Sequence, residues 1–415
     1  MAVFLFMKGK IIMKLKAVKG TRDYLPYEAE LREYMERTIL GYYRANGFQR
    51  IMTPALEDIE NLDKSDGGDN LNLIFKIMKR GEKLSKAVEN KTELADMGLR
   101  YDLTLPLSRY YSANRQNLPS PFKCIQIDKA YRAERNQKGR LREFIQCDID
   151  VIGDSSPMCE TELITVTAKA LTKLDIGGFT VKVNDRRLLN ALLLKMGFEE
   201  EQLSSVCISF DKLDKIGADV VISELTDKGF SADAINKFSQ VLSDNDFTVT
   251  KAEQILGDDS VTSSLESIIS VCRQLSDGLY KVEFDISLVR GQGYYTGTVF
   301  EIKSDKFSGS VAGGGRYDNL IGKFTNESVP ACGFSIGFER IFSILSDMQR
   351  KAEVKPKLAF IYGENWVDAY NQAEQLREKY DVSLFARPKK MRVFLDKLKN
   401  SGFSGFVSDG EMKMF

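Results

Sequence analysis

The sequence predicts an α+β protein, in which one antiparallel β-sheet flanked by helices is interrupted by a helical insertion and followed by a small α/β domain. Strand-like residue patterns fill 72–150 and return after residue 280, whereas 186–279 has a helical period. After a linker, "SDMQRKAEVKPK", strands and helices alternate. That alternation is typical of a compact α/β unit.

The first predicted elements are a helix, a short strand and a long hairpin. Apolar residues recur at helical spacing over 28–45, and the turn at Asn46-Gly47 leads into a strand. The segment "FKCIQIDKAYRAERNQKGRLREF" has a strand, a polar loop and a returning strand. It therefore predicts a hairpin. Arg132 and Glu134 are two residues apart and are expected to point to the same side.

The returning strand alternates strictly through "REFIQCDIDVIG". Gln146, Asp148 and Asp150 share one face, and apolar residues occupy the other. On the pattern alone, the polar face is predicted to be exposed to solvent.

The remaining pattern divides the chain into segments. Residues 186–279 read as helices with few glycines, and Ser231 is a candidate N-cap. Strand texture resumes in "YKVEFDISLVRGQGYYTGTVFEI", and a helix is predicted to start near Gly337. The predicted domains are an extension at 1–16, a core of 17–185 and 280–345, a helical insertion at 186–279 and an α/β domain at 354–415.

Composition excludes several kinds of chemistry. The 415 residues carry equal numbers of acidic and basic side chains, so a polyanion must be met by local patches. The chain has no histidine, which excludes Ser-His-Asp, Cys-His and HExxH catalysis. Six scattered cysteines without a C-x-x-C pair indicate reduced thiols in a cytoplasmic protein and no metal motif. The short apolar start, "MAVFLFMKGKIIMKLK", is interpreted as an extension and not as a membrane span.

Glycines and arginines are the remaining candidates for chemistry. "AGGGRYDNLIGKF" lacks P-loop spacing, so it predicts either a glycine-rich hairpin or a backbone that a ligand can approach. Each arginine alone could be a surface or ion-pair residue, but four in sheet segments with acidic and tyrosyl neighbours favour a triphosphate pocket. These are Arg132, Arg290, Arg316 and Arg340.

Seven segments together resemble the histidyl-tRNA synthetase family of class II aminoacyl-tRNA synthetases. "KGTRDYLP" resembles its N-terminal signature, "GFQRIMTPALE" motif 1, "YRAERNQKGRLREF" motif 2 and "GFSIGFERI" motif 3. "RYDLTLP", "REFIQCDIDVIG" and "LVRGQGYYTGTVFE" resemble the segments that hold the amino acid. The resemblance spans about residues 17–345 and implies that the sheet is the class II catalytic core.

The resemblance implies a reaction that needs no histidine. The substrate's own carboxylate attacks the α-phosphate of ATP, so the protein supplies alignment and charge. By resemblance, Arg132 holds the α-phosphate, Glu134 the adenine edge, and Arg340 the adenine and phosphate tail. Arg290 faces the reacting groups, which makes Arg132 and Arg290 the catalytic candidates. Mg²⁺ is expected to accompany ATP.

The resemblance also implies a site for free histidine. Asp150 and Tyr295 take the positions that hold the imidazole, and Tyr294 and Tyr317 line the site. By resemblance, the α-amino group is bound by Asp102, Thr104 and Gln146, and Arg290 reaches the carboxylate. Buried polar partners of this kind reject apolar side chains.

The expected macromolecular partners are tRNA-His and a second copy of the chain. Arg135 and Gln137 match residues that approach the acceptor end. Residues 186–279 resemble the insertion that clasps the acceptor stem, and 354–415 resemble the anticodon-binding domain. Six cations within 387–399 suit a phosphate backbone, although a solvated helix face explains them equally well.

Three departures from the family keep an alternative open. Gly293 replaces an aspartate, Asn136 replaces a proline, and "GEMKMF" ends short of the family's last strand and helix. Gly293 and the short C-terminal unit favour a non-charging paralogue such as the regulatory subunit of ATP phosphoribosyltransferase, whereas Asn136 is expected to loosen the motif 2 loop. The presence of Arg132, Arg290 and Arg340 favours the synthetase.

Overall fold

A computed structural model describes residues 15–63, 72–135, 140–210, 213–244, 246–290, 294–325, 327–352 and 354–415. The expectations for residues 1–14, Asn136, Gln137 and Gly293 lie outside these ranges. Contacts divide the chain into two compact units, Met1–Arg350 and Lys351–Phe415, which are described separately. Within the described residues, no helix is both long and apolar enough to span a bilayer.

The first unit alternates helices and strands on both sides of a helical segment. Before that segment come α1 (Pro26–Ala45), β1 (Gln49–Arg50), β2 (Leu56–Asp58), α2 (Ile59–Asp63), β3 (Lys76–Met78), α3 (Glu82–Glu89), β4 (Ala95–Leu99), α4 (Thr104–Asn114), β5 (Phe122–Tyr131), β6 (Glu143–Ile152), α5 (Met158–Lys173) and β7 (Phe179–Asp185). The helical segment comprises α6 (Arg186–Met196), α7 (Glu200–Phe210), α8 (Leu213–Ile216), α9 (Ala218–Asp227), α10 (Ala232–Ser243), α11 (Val249–Leu256) and α12 (Thr262–Leu275). After it come β8 (Lys281–Phe284), β9 (Thr298–Ser304), β10 (Ser310–Arg316), α13 (Gly322–Thr325), β11 (Ala331–Gly337) and α14 (Phe338–Asp347).

The predicted N-terminal helix is confirmed as α1. Pro26 occupies its first turn, where the missing N–H costs nothing. The Glu28 carboxylate accepts a hydrogen bond of 2.8 Å from the Leu25 backbone N–H and so caps the start. The buried face includes Tyr43, whereas Tyr42 is only half-buried.

The central feature is an eight-stranded sheet with the order β1-β5-β6-β11-β10-β9-β7-β8. The β1–β5 and β7–β8 pairs are parallel and the other pairs are antiparallel. The predicted hairpin is confirmed, since β5 and β6 pair from Phe122–Ile152 to Tyr131–Glu143. Strands separated by the helical segment therefore lie side by side, as the sequence predicted.

Two strand expectations were too broad. The segment 72–150 contains α3 and α4, because Gly81 precedes one helix and Pro106 fits the first turn of the other. Residues 285–290 and 294–297, within the second predicted strand region, form no strand. A separate three-stranded sheet, β2-β4-β3, also belongs to this unit.

The helical segment begins and ends close to its predicted limits. Ser231 is confirmed as the N-cap of α10, because its Oγ accepts from the Ala234 N–H. Phe198, Phe210 and Phe238 pack edge to face at the centre of these helices.

The second unit has the predicted β-α-β-α-β order with one further strand. Its elements are β12 (Lys357–Tyr362), α15 (Trp366–Leu376), β13 (Asp381–Ala386), α16 (Met391–Asn400), β14 (Phe403–Ser408) and β15 (Glu411–Met414). The sheet order is β13-β12-β14-β15, and only the last pair is antiparallel. The terminal segment "GEMKMF" thus includes a strand that the sequence did not predict.

Candidate active site

A cavity of about 1300 Å³ lies over one face of the eight-stranded sheet. It brings together all the residues that the resemblance assigned to ATP and histidine. They are Asp102, Thr104, Arg132, Glu134, Gln146, Asp150, Arg290, Tyr294, Tyr295, Tyr317 and Arg340. Arg135 is exposed on the segment after β5, and Gln137 lies outside the described residues.

The cavity floor depends on glycines in the two central strands. Gly313 on β10 lies between Glu301 and Ser335 of the neighbouring strands. A Cβ at Gly313 would collide with the Arg290 guanidinium, and one at Gly333 would collide with the Asp150 carboxylate. Glycines of β10 and β11 therefore leave the backbone bare for two of the protein's own charged side chains.

Arg290 is held in the cavity by an ion pair. Its Nη1 donates to Glu301 Oε2 at 2.9 Å, and its backbone has φ of +63°. Burial alone would lower the pKa of Arg290, but Tyr295 and Glu301 reverse the effect and raise it. A fixed and permanently charged guanidinium can stabilise negative charge without moving.

Asn184 holds the loop that carries this arginine. The buried Asn184 Nδ2 donates to the carbonyl of Ile286 at 3.1 Å and to that of Leu288 at 2.9 Å. Because β7 carries Asn184, the sheet fixes the loop two residues before Arg290. The sequence offered no signal for this contact, since the partners lie more than 100 positions apart.

Further arginines give one part of the cavity an excess of positive charge. Arg132 Nε donates to the Tyr101 carbonyl at 2.9 Å, and its guanidinium lies 5.2 Å from the ring centre of Phe144. Arg340 Nη1 donates to a main-chain carbonyl, that of Ser310. Burial lowers the pKa of Arg340, and repulsion from nearby arginines lowers it further. A bound polyanion would relieve that repulsion.

Carboxylates and phenols form another part of the cavity. The Tyr317 hydroxyl donates to Asp150 Oδ1 at 2.6 Å, while Asp150 Oδ2 is buried without a hydrogen-bond partner among the described residues. Burial raises the pKa of Asp150 to about 7, although the Tyr317 hydrogen bond opposes the shift and Asp102 adds to it. Tyr294 packs against Tyr295 and Tyr317, with ring centres 4.8 and 6.0 Å away. This part suits a small ligand with an N–H donor.

The solvent-exposure prediction for the polar face of β6 was wrong. Asp148 and Asp150 are 4% and 3% exposed, and with Gln146 they line the cavity. The alternation was correct, but it could not show that other elements would cover this face.

Arg316 does not belong to the cavity, contrary to its grouping with the other arginines. It is buried, and its Nε and Nη2 donate to the two oxygens of Glu160 at 2.6 and 2.7 Å. Cys159 and Cys332 lie near the same carboxylate. Because Arg316 occupies both carboxylate oxygens, the three residues do not form a suitable cation site.

We expect Arg316→Met to lower the free energy of unfolding by about 3–5 kcal/mol, because Glu160 would remain as a buried unpaired charge. Urea unfolding measures the loss, and Arg316→Met/Glu160→Met should recover most of it. Affinity for ATP in the folded variant should stay unchanged. A variant of normal stability that no longer binds ATP would instead make Arg316 a ligand-binding residue.

The cavity residues that sequence reasoning missed include Glu301, Phe144 and Asp148. Glu301 pairs with Arg290, and Phe144 lies beside Arg132. The period of β9 could have placed Glu301 on the same face as Val299, but not beside an arginine from the preceding loop.

The sheet and its cavity define the class of protein. An antiparallel sheet flanked by helices, with arginines and buried acids on one face, is the architecture of a class II aminoacyl-tRNA synthetase catalytic unit. The family model described as Histidyl-tRNA synthetase matches residues 20–341. The chain belongs to the histidyl-tRNA synthetase family, a family of aminoacyl-tRNA ligases.

Individual relatives agree with this assignment. The chain is 40% identical to the histidine--tRNA ligase of Leifsonia xyli subsp. xyli, with 94% of each chain covered. The crystal structure of histidyl-tRNA synthetase from Nostoc sp. PCC 7120 matches with a TM-score of 0.80 and 26% identity, covering 96% of this chain and 92% of that one. A Bacillus halodurans structure, titled ATP phosphoribosyltransferase regulatory subunit/histidyl-tRNA synthetase, has a TM-score of 0.78. At 20% identity over 93% of this chain and 97% of that one, it shows likeness of fold alone.

Proposed function

We propose that this chain is a histidine--tRNA ligase, which activates histidine with ATP to histidyl-adenylate and then charges tRNA-His. The observation that carries the proposal is a single cavity that joins several arginines to a buried acid–phenol cluster. The histidine carboxylate attacks the α-phosphate, a new acyl–phosphate bond forms, and pyrophosphate leaves. No protein base is needed, which suits a chain without histidine.

At the amino-acid end, the unpartnered Asp150 Oδ2 supports a role as acceptor for an imidazole N–H. Tyr295 would serve the other ring nitrogen. Asp102, Thr104 and Gln146 would hold the ammonium group. Asp102 has the rigidity that this role needs, because its Oδ1 already accepts from the Leu105 N–H at 3.2 Å.

At the nucleotide end, Arg132 would hold the α-phosphate and Arg340 the adenine and phosphate tail. Glu134 would accept from the adenine amino group, and it lies 3.3 Å from Arg140. Mg²⁺ would supply charge neutralisation to the phosphates. Arg290 would stabilise the charge that develops at the reacting phosphate.

We propose that Arg135 and Gln137 approach the acceptor end, that 186–279 contact its stem, and that 354–415 contact the anticodon. We also propose a homodimer, because the three-stranded sheet exposes Leu56, Met78 and Met97. We propose a cytoplasmic location, because the proposed reaction supplies translation and the six cysteines form no disulfide.

Histidine-dependent exchange of pyrophosphate into ATP tests the first step. We expect exchange with histidine and none with other amino acids, together with charging of tRNA-His. Absence of exchange at saturating histidine would leave the paralogue alternative, which no feature of the described cavity favours. Exchange without charging would overturn only the tRNA assignments.

A further inference from the structure

Asp148 is a buried carboxylate of the cavity to which the proposed reaction gives no role. On β6 it lies between Gln146 and Asp150, and it is 4% exposed. It lies opposite Ser335 of β11 in the sheet register. Its Oδ1 has no hydrogen-bond partner in the described part of the chain. An acid buried next to Asp150 is costly, so the hydrogen-bond donor beside it on the same strand, Gln146, is informative.

The contact of Asp148 is with the amide of Gln146. Gln146 Nε2 lies 3.4 Å from Asp148 Oδ2 and 3.3 Å from Ser335 Oγ. An ionised carboxylate can only accept, so it selects the amide NH₂ and turns the amide oxygen away. That oxygen, Gln146 Oε1, is buried without a described partner.

We propose that Asp148, assisted by Ser335, fixes the orientation of the Gln146 amide so that its oxygen accepts from the substrate's α-ammonium group. This inference rests on the proposed function and makes Asp148 a positioning residue. With the amide reversed, Gln146 would present an NH₂ group to a cation, and both groups would be donors. Asp148 thereby contributes to selection of an amine-bearing ligand without touching it.

In the ligand-free site, the surroundings of Asp148 disfavour its ionised form, so a bound cation matters for the orientation. Burial raises the pKa of Asp148. The nearby Asp150 and Asp102 raise this pKa further, whereas Ser335 and Arg132 lower it. A bound ammonium group adds a positive charge beside these acids and favours the ionised form that orients Gln146. Orientation of the amide and binding of the cation therefore reinforce each other.

The test compares ligands that differ in the amine. Histidine and histamine carry it, and 3-(imidazol-4-yl)propionate lacks it. For Asp148→Asn, which keeps the size of the side chain but no longer selects one amide orientation, we expect about tenfold weaker binding of both amines. Binding of the propionate should change less than about twofold. Calorimetry measures all three dissociation constants.

A rescue variant separates positioning from a general structural role. In Asp148→Asn/Gln146→Glu, the new carboxylate accepts both from the amide introduced at position 148 and from the ammonium group, so amine binding should return toward the wild-type level. Ser335→Ala should also weaken binding of the two amines, but by a smaller factor than Asp148→Asn. It replaces Asp148→Asn as the test variant if that protein does not fold. Equal loss for all three ligands, or no loss for the amines, overturns the inference. If the wild type binds neither amine, the proposed function fails as well.

Discussion

Arg290→Ala is expected to lower the maximal rate of histidine-dependent pyrophosphate exchange by about 100- to 1000-fold while weakening ATP binding by less than about tenfold. The guanidinium is largely buried and is fixed by Glu301 at 2.9 Å, so it needs no reorganisation when charge builds on the phosphate. Removal of one such fixed donor costs about 3–4 kcal/mol in comparable sites. Exchange kinetics give the rate, and equilibrium dialysis gives the dissociation constant of ATP.

The variant leaves Glu301 as a largely buried carboxylate without its arginine, which could damage the site by itself. Arg290→Met/Glu301→Gln removes both charges and keeps the side-chain volumes similar, so it is the matched variant. Glu301→Gln alone should retain most of the exchange rate. Equal losses of rate and ATP affinity in the matched variant would contradict a role for Arg290 in the transition state.

The segment that carries Arg290 shows how far sequence reasoning reaches. Its resemblance to a histidine-binding segment predicted that Tyr294 and Tyr295 line a ligand site, and both line the cavity. Strand texture was expected over the wider stretch 280–302, with a glycine turn between strands around Arg290, and residues 285–290 and 294–297 are loop. The shape of the segment is held by Asn184 from another strand. Local periodicity carries no information about such a distant contact.

Arg316 and Arg290 show the same limit for single residues. Both arginines adjoin glycines and precede tyrosines at short spacing, so pattern reasoning grouped them. Glu160, 156 positions before Arg316, converts that arginine into a structural ion pair. The strands of the β5–β6 hairpin were predictable because their pairing is local, whereas the partner of each buried charge depends on the tertiary fold.

Asp150→Asn is expected to weaken histidine binding by about 10- to 100-fold at pH 8 and, in the ligand-free protein, to raise the free energy of unfolding. The Asp150 carboxyl has a pKa of about 7 in the folded protein and an ordinary value of 3.8, so the folded protein binds this proton more tightly than the unfolded chain does. The free energy of unfolding therefore falls as the pH rises from 3.8 to about 7, and the loss is complete above about pH 7. About three pKa units correspond to about 4 kcal/mol. The asparagine avoids this cost because it cannot ionise.

The same pKa predicts a pH dependence of binding. Wild-type affinity for histidine should fall as pH decreases below about 7, because the protonated Asp150 no longer accepts freely from an imidazole N–H. Histidine also titrates near this pH, so 1,2,4-triazolylalanine, whose ring stays neutral, is the control ligand. Urea unfolding at about pH 5 and about pH 8 measures the stability difference between wild type and variant.

Tyr317→Phe tests independently whether titration of Asp150 causes this pH dependence of histidine binding. The Tyr317 hydroxyl donates to Asp150 at 2.6 Å and favours its ionised form, so its removal should move the loss of affinity to higher pH. The shift should vanish in Asp150→Asn/Tyr317→Phe, because no titrating carboxyl remains at position 150. A pH profile that survives Asp150→Asn unchanged would assign the titration to another group. Since Asp102 and Asp148 lie in the same cavity, they would be the next carboxyls to replace.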